Sequence, residues 1–161
     1  LARWVDREDA VVEVIDELRA EYRSGLSGVR PALEGKKVAV YLRFTQDIEW
    51  LLDLLQDLGM CILMVGLDKR LTPVPGTFSS RYGQSVEVHE GLSVVEMMTA
   101  LESARPDLLL TDCRVPQTCA CHHDIVHRPD VGISSSIEMA TRWSRIIRLP
   151  AVEEWKAEVR A

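Results

Sequence analysis

Short apolar segments alternate along this chain with helix-length amphipathic segments, and this alternation constrains the fold more than any other feature. Three strand candidates, over 37–42, 61–65 and 107–111, are apolar at successive positions, so both of their faces need burial. A fourth candidate, over 85–88, is weaker. Strands of this kind, connected by helices, form a parallel sheet that is covered on both faces. We therefore predict a three-layer α/β fold, Rossmann-like or flavodoxin-like, with a mostly parallel sheet of about four to five strands flanked by helices.

Apolar spacing and capping residues indicate where the helices lie. An N-terminal helix over 6–24, with Asp6 as its N-cap, carries four residues on one apolar face: Val11, Ile15, Leu18 and Tyr22. Ser-x-x-Glu capping boxes at Ser93 and Ser135 open two further helices. We predict helices over 46–58, 93–103, 135–148 and 151–160, and the first of them is capped by Thr45 and ended by Gly59. We also predict a loop over 66–84 and a polar loop over 112–134, with a short strand near 131–133.

Length and charge limit the classes of protein to which the chain can belong. Its 161 residues fit one domain, which we divide into an N-terminal helix (1–30), an α/β core (36–150) and a C-terminal helix (151–161). The net charge of −6 argues against binding to nucleic acid or to an anionic membrane, and no apolar run is long enough to span one. The chain begins with Leu1 and not with an initiator Met, so we expect a fragment of a larger protein. It has no signal-peptide pattern, so we expect a cytoplasmic protein whose cysteines are reduced.

The densest group of reactive side chains is the run Cys119-Ala-Cys121-His122-His123 in the predicted polar loop. Thiolates and imidazoles are ligands of zinc and of iron–sulfur clusters. In an extended segment, Cys119 and Cys121 would point to the same side. Three interpretations stay open at this point: a metal or cluster site formed by Cys119, Cys121 and His122, a redox-active thiol, or ordinary loop cysteines packed as small apolar side chains.

Two charged residues follow predicted strands and are therefore expected at the carboxyl edge of the sheet, where α/β proteins bind ligands. Arg43 is a candidate for binding an anion there, or for pairing with a surface carboxylate. Asp112 lies in a run from Arg105 to Pro116 that resembles the phospho-acceptor strand of response-regulator receiver domains. A receiver also needs an acidic pair after its first strand, where this chain has Arg43 and Phe44. The other interpretation of Asp112 is a cap on the turn that follows it.

Several motifs follow one another along the chain in an order found in one known family. They are Pro31-Ala-Leu-Glu-Gly-Lys-Lys-Val-Ala-Val-Tyr41, Asp57-Leu-Gly-Met60, Arg105-Pro-Asp-Leu108, and then His122, Pro129, Gly132, a helix through Met139-Ala140, Pro150 and Trp155. Together they resemble the C-terminal Rossmann-like domain of nitrogenase component 1-type proteins, in their α-type subunits. The resemblance extends over essentially the whole chain. It departs from the family after the first strand, where Arg43 and Phe44 replace a glycine pair.

The resemblance implies an oxidoreductase, or a cofactor-assembly protein, in which this domain supplies one wall of a metal-cluster or substrate site between domains. It implies His122 as a cofactor ligand, with Arg43 beside the cofactor. The implied cofactor is an iron–sulfur or related metal cluster in the full-length parent, with none bound to the isolated, inactive domain. The implied partners are a homologous subunit or further domains of the parent, and an ATP-dependent iron protein as electron donor. The alternative is a non-enzymatic binding or scaffold module that has the same fold.

Overall fold

A parallel sheet forms the centre of the computed structural model, which describes residues 8–43, 48–68, 86–114, 121–126 and 132–150. Its strands are β1 (Lys37–Leu42), β2 (Cys61–Asp68), β3 (Glu87–Leu92), β4 (Leu108–Thr111) and β5 (His122–Ile125). They lie in the order β3-β2-β1-β4-β5, and every neighbouring pair is parallel. The predicted α/β fold with a parallel sheet is therefore confirmed.

The helices are α1 (Glu8–Ser27), α2 (Arg30–Leu33), α3 (Ile48–Asp57), α4 (Val94–Ala104) and α5 (Ile133–Ile146). The predicted capping box of α4 is present, because Ser93 Oγ accepts a hydrogen bond from the Glu96 N–H and the Glu96 carboxylate accepts one from the Ser93 N–H. Gly59 follows α3 with φ of +71°, a left-handed conformation that suits glycine, as predicted for the end of this helix. No helix in the described ranges has the length and apolarity that crossing a membrane requires.

Two predictions about the C-terminal third are wrong. Helix α5 begins two residues before Ser135, after an N-cap at Gly132 that has no side-chain capping bond, and Ser136 Oγ donates to the Gly132 carbonyl instead. Among the described residues the last strand is β5, and the predicted strand near 131–133 is not present at Gly132 and Ile133, since Ile133 is helical. The sequence His-His-Asp-Ile of β5 has no apolar alternation, so only its pairing with β4 reveals it as a strand.

Other boundaries differ by a few residues. Strand β2 continues through Asp68 into the predicted loop, and β3 extends to Leu92 beyond the predicted 85–88. The proposed caps Asp6 and Thr45 and the helical turns at 151–160 lie outside the described residues.

The apolar core lies on both faces of the sheet, as expected for a three-layer fold. The larger cluster joins one face of the sheet to α1, α2, α3 and α5, and it contains the fully buried Trp143. Met139 and Ile147 share the helical stripe of Trp143 and pack in the same cluster, as their spacing predicts. The smaller cluster joins the opposite face to α4 through Tyr41, Met97 and other side chains.

Helix α1 uses its apolar face in two different ways. Near its C-terminal end, Tyr22 packs against the larger cluster and Leu26 is buried in it. Towards its N-terminal end, Val11, Ile15 and Leu18 are exposed. The prediction of one amphipathic helix is correct, but in the part of the chain that the structure describes only the C-terminal half of its apolar face is packed against the core.

Candidate functional site

The strand order identifies the edge of the sheet at which a ligand site is expected. From β1 the chain continues to β2 and β3 on one side, and it then returns to place β4 and β5 on the other side. The carboxyl ends of β1 and β4 therefore flank a topological switch point, outside which open α/β sheets bind their ligands. Receiver domains have the different, flavodoxin-like order 2-1-3-4-5. The strand order thus contradicts the receiver interpretation of Asp112.

Arg43 and Asp112 meet at this switch point. The backbone N–H of Arg43 donates a 2.8 Å hydrogen bond to Asp112 Oδ2, and Nε of the Arg43 side chain lies 3.8 Å from Asp112 Oδ1. The longer distance is an ion pair but exceeds the range of a hydrogen bond. Asp112 therefore joins the turn after β1 to the end of β4 and does not simply cap its own turn. Of the two interpretations of Arg43, the structure shows the pairing with a carboxylate.

The exposure of the two side chains differs in a way that matters for binding. The Asp112 side chain is 8% exposed, whereas that of Arg43 is 39% exposed. Arg43 Nε, which faces the nearly buried carboxylate, is itself buried, so the exposed part of the arginine side chain lies away from Nε. The further N–H donors of a guanidinium suit a carboxylate or a phosphate.

A second polar group, which the sequence analysis missed, lies at the same edge. The hydroxyl of the fully buried Tyr41 is 3.3 Å from Asp68 Oδ2 and 3.2 Å from the Leu92 carbonyl oxygen, so its single proton is shared between two acceptors. Gly66 makes room for this ring, because a Cβ there would lie 3.0 Å from Tyr41 Cδ2. The group joins the carboxyl ends of three adjacent strands. The sequence feature that could have revealed this group is Asp68, because it is an aspartate at the end of an apolar strand.

The environment of Tyr41 favours its neutral form. Burial, and then the negative charge of Asp68, raise the pKa of Tyr41 to about 12. The phenol is therefore a hydrogen-bond donor throughout the neutral range. It serves to hold the three strand ends together.

Alkaline unfolding provides a test of this buried phenol. Because the pKa of Tyr41 is higher in the folded chain than its ordinary value of 10.0, folding loses stability as the pH rises from about 10 to about 12. The Tyr41→Phe variant should be about 1 kcal/mol less stable at pH 7, since it lacks the shared hydrogen bond. The difference between the two proteins should then shrink above pH 10. Urea unfolding at a series of pH values measures both effects, and a constant difference would contradict the assignment.

Cys113 also lies at the carboxyl edge, but it belongs to the core. Its buried Sγ is 3.2 Å from Thr111 Oγ1, and its side chain packs in the smaller apolar cluster beneath α4. This thiol behaves as a small apolar side chain with one weak polar contact.

The described members of the predicted Cys/His group, Cys121, His122 and His123, lie at the other end of the sheet. His122 pairs with Leu108, which also pairs with Val38, so His122 is level with the start of β1. Arg43 lies five residues beyond Val38, which is about 16 Å along the strand direction. The structure therefore does not bring His122 and Arg43 together.

Neighbouring members of this group also face different sides of the sheet. Cys121 packs against the smaller cluster beneath α4. Asp124 binds side chains of α5 on the opposite face, and His122 shares that face because it is two residues away in the same strand. Cys119 lies outside the described residues.

The arrangement limits what the described residues can ligate by themselves. In the described ranges, no three His, Cys, Asp or Glu side chains are grouped so that they could hold a metal ion. His122 can offer an imidazole nitrogen on the α5 face, and Cys121 a thiol on the other. These residues alone do not form the closed ligand set of a metal cluster. The metal role of Cys119, Cys121 and His122 stays a prediction.

These features define a Rossmann-type α/β domain with a charged pair at its switch point. No protein-family model matches the chain, and no curated protein sequence matches it. In structure it is similar to nitrogenase Cp1 at pH 6.5, with a TM-score of 0.64 and 14% sequence identity. The match covers 86% of this chain and 38% of the nitrogenase chain. The likeness shows a nitrogenase-like domain fold, and the chain spans well under half the length of that protein.

Proposed function

We propose that this chain is one domain of a larger nitrogenase-like reductase or cofactor-assembly protein, and that it supplies one wall of a metal-cluster or substrate site between domains. The observation that carries the proposal is the nitrogenase-like fold, combined with the Arg43–Asp112 pair at the edge where such folds bind ligands. In this proposal the parent protein accepts electrons from an ATP-dependent iron protein. Its partners are other domains of the parent or a homologous subunit.

The two ends of the sheet have separate roles in this proposal. At the carboxyl edge, Arg43 binds an anionic group of a substrate or cofactor, and Asp112 positions the guanidinium without touching the ligand. At the amino end of β5, His122 supplies one imidazole ligand. Because the described residues do not complete a ligand set there, the remaining ligands must come from Cys119 or from another domain. The isolated chain is accordingly expected to be inactive.

A non-enzymatic binding or scaffold module with the same fold is the competing proposal. It is supported by the separation of Cys121 and His122 on opposite faces of the sheet. The two proposals differ most clearly in whether the natural protein contains metal.

Iron analysis of the longest natural form of the protein, purified without oxygen, tests the proposal. We expect bound iron in the wild-type protein and loss of most of it in the His122→Ala variant. His123→Ala is the matched control, because His123 is the neighbouring, exposed imidazole on the other side of β5. The corresponding thiol variant is Cys119→Ser, with the exposed Cys61→Ser as its control.

The outcomes of this experiment separate the two proposals and test His122 as a ligand. Iron that is lost in His122→Ala but retained in His123→Ala supports the cluster wall. A wild-type protein without metal rejects the cluster role and leaves the binding module. Iron that survives all four substitutions would show that the cluster is held by other domains and that His122 is not its ligand.

A further inference from the structure

Four charged residues end or closely follow the three inner strands of the sheet, and their exposure depends on their sign. The two carboxylates, Asp68 at the end of β2 and Asp112 after β4, are nearly buried. The two cations are Arg43 after β1, whose side chain is partly exposed, and Arg114 after β4, which is exposed. Of these four charges, it is therefore the arginines that a ligand from solvent can contact.

The pairing of β1 with β4 brings the two arginines to the same place. Tyr41 pairs with Thr111 near the ends of these strands, and the backbone N–H of Arg43 then donates to Asp112. Arg114 comes two residues after that contact. Adjacent strands are about 4.8 Å apart, and an arginine side chain is longer than this spacing, so both guanidinium groups can reach one small ligand. The sequence analysis did not single out Arg114.

Both guanidinium groups keep hydrogen-bond donors for a ligand. The contact between Arg43 Nε and Asp112 is an ion pair at 3.8 Å, and this buried Nε has no hydrogen-bond acceptor among the described residues. Within the same residues, no carboxylate forms an ion pair with Arg114. Each guanidinium has five N–H donors in a planar arrangement, so two of them can bind both oxygens of one anionic group.

The charges at this edge indicate which anion fits. The two arginines and the two aspartates sum to zero, and salt screens nearly buried carboxylates less than exposed ones. A phosphate dianion would therefore meet twice the repulsion from Asp68 and Asp112 that a singly charged group meets. A carboxylate carries one charge and is planar, which matches the guanidinium geometry.

We propose that Arg43 and Arg114 together bind the carboxylate group of a small molecule at the carboxyl edge of the sheet. Arg114 is then a second binding residue, and Asp112 positions Arg43 and disfavours more highly charged ligands. This inference rests on the proposed function in taking this edge as the ligand site, and it adds the chemical class of the ligand.

Nuclear magnetic resonance titration of the whole chain tests the carboxylate site. The probes are acetate, its uncharged isostere acetamide, and inorganic phosphate, each at constant ionic strength and about pH 8, where phosphate is largely dianionic. Acetate should shift the amide and Nε–H signals of Arg43 and Arg114 along a saturable curve. Phosphate should bind at least about threefold more weakly than acetate. Acetamide should cause no saturable shift.

Three variants show which side chains are responsible, and their spectra also show that each keeps the fold. Arg114→Gln should bind acetate about fivefold more weakly or worse. Arg145→Gln is the matched control, because Arg145 is an exposed arginine on α5, and it should bind as the wild type does. Asp112→Asn keeps an acceptor for the Arg43 N–H but removes a negative charge, so phosphate should then bind at least as tightly as acetate.

The results that would overturn the inference are separate from those that would overturn the proposed function. Unchanged acetate binding in Arg114→Gln, tighter binding of phosphate than of acetate by the wild type, or no saturable shift with acetate would each reject the carboxylate site. If the natural protein contains iron, that rejection leaves the cluster wall in place. If the natural protein contains no metal and the chain binds acetate, the cluster role is rejected and the carboxylate site stands.

Discussion

Trp143→Ala is expected to lower the free energy of unfolding by about 3–5 kcal/mol, the largest effect of any single substitution considered for this chain. The Trp143 side chain is completely buried in the larger cluster between α5 and the sheet. Its removal loses the apolar contacts, leaves a cavity, and deletes the 2.9 Å hydrogen bond from Nε1 to Asp124 Oδ2. Urea unfolding followed by far-UV circular dichroism measures the change without relying on tryptophan fluorescence.

Two comparison variants make this result interpretable. Trp143→Phe keeps most of the apolar volume but not the N–H donor, so it should cost less than the alanine variant. Val95→Ala alters a side chain that is 75% exposed, and it should change stability by no more than about 0.5 kcal/mol. A loss below about 1.5 kcal/mol for Trp143→Ala would mean that the large cluster does not depend on α5.

The parts of the fold that the sequence predicted are those with strong local signals. β1 and β4 are runs of apolar residues that need burial on both faces, and the Ser93 capping box marks the start of α4 without any tertiary information. β5 lacks such a signal. Its two histidines and one aspartate form a strand because backbone pairing with β4 stabilises them, and this contact is not visible in the local sequence.

The charged pair of the candidate site was predictable as two separate residues but not as an arrangement, and the Tyr41–Asp68 group was not predicted. Arg43 and Asp112 were each expected at the carboxyl edge, since each follows an apolar strand. Their contact depends on β1 lying beside β4, although two other strands come between them in the chain. Arg43 and His122 are separated by a second tertiary feature, the register of β5 on β4, which places His122 at the amino end of the sheet. Strand order and register, which arise from tertiary packing, decide which predicted residues can act together.

Asp124→Ala is expected to lower the free energy of unfolding by about 2–3 kcal/mol, because this carboxylate accepts the hydrogen bonds that connect α5 to β5. Asp124 Oδ2 accepts hydrogen bonds from Trp143 Nε1 at 2.9 Å and from Arg142 Nε at 2.8 Å. Loss of the carboxylate leaves the buried indole N–H without that acceptor, which costs more than the loss of an exposed ion pair. The Arg142 side chain is half exposed, so Arg142→Ala should cost less than about 1 kcal/mol.

The relative losses in Asp124→Ala and Arg142→Ala show whether Asp124 stabilises α5 mainly through its hydrogen bond to Trp143 or through its ion pair with Arg142. If the hydrogen bond to Trp143 dominates, Asp124→Ala is clearly more damaging than Arg142→Ala, and combining it with Trp143→Phe adds less than the sum of the separate losses. If the ion pair dominates, the two alanine variants are equally destabilised, and raised salt reduces both losses. Urea unfolding at low and high salt separates these outcomes. Strictly additive losses for Asp124→Ala and Trp143→Phe would show that the two side chains do not stabilise α5 through their shared hydrogen bond.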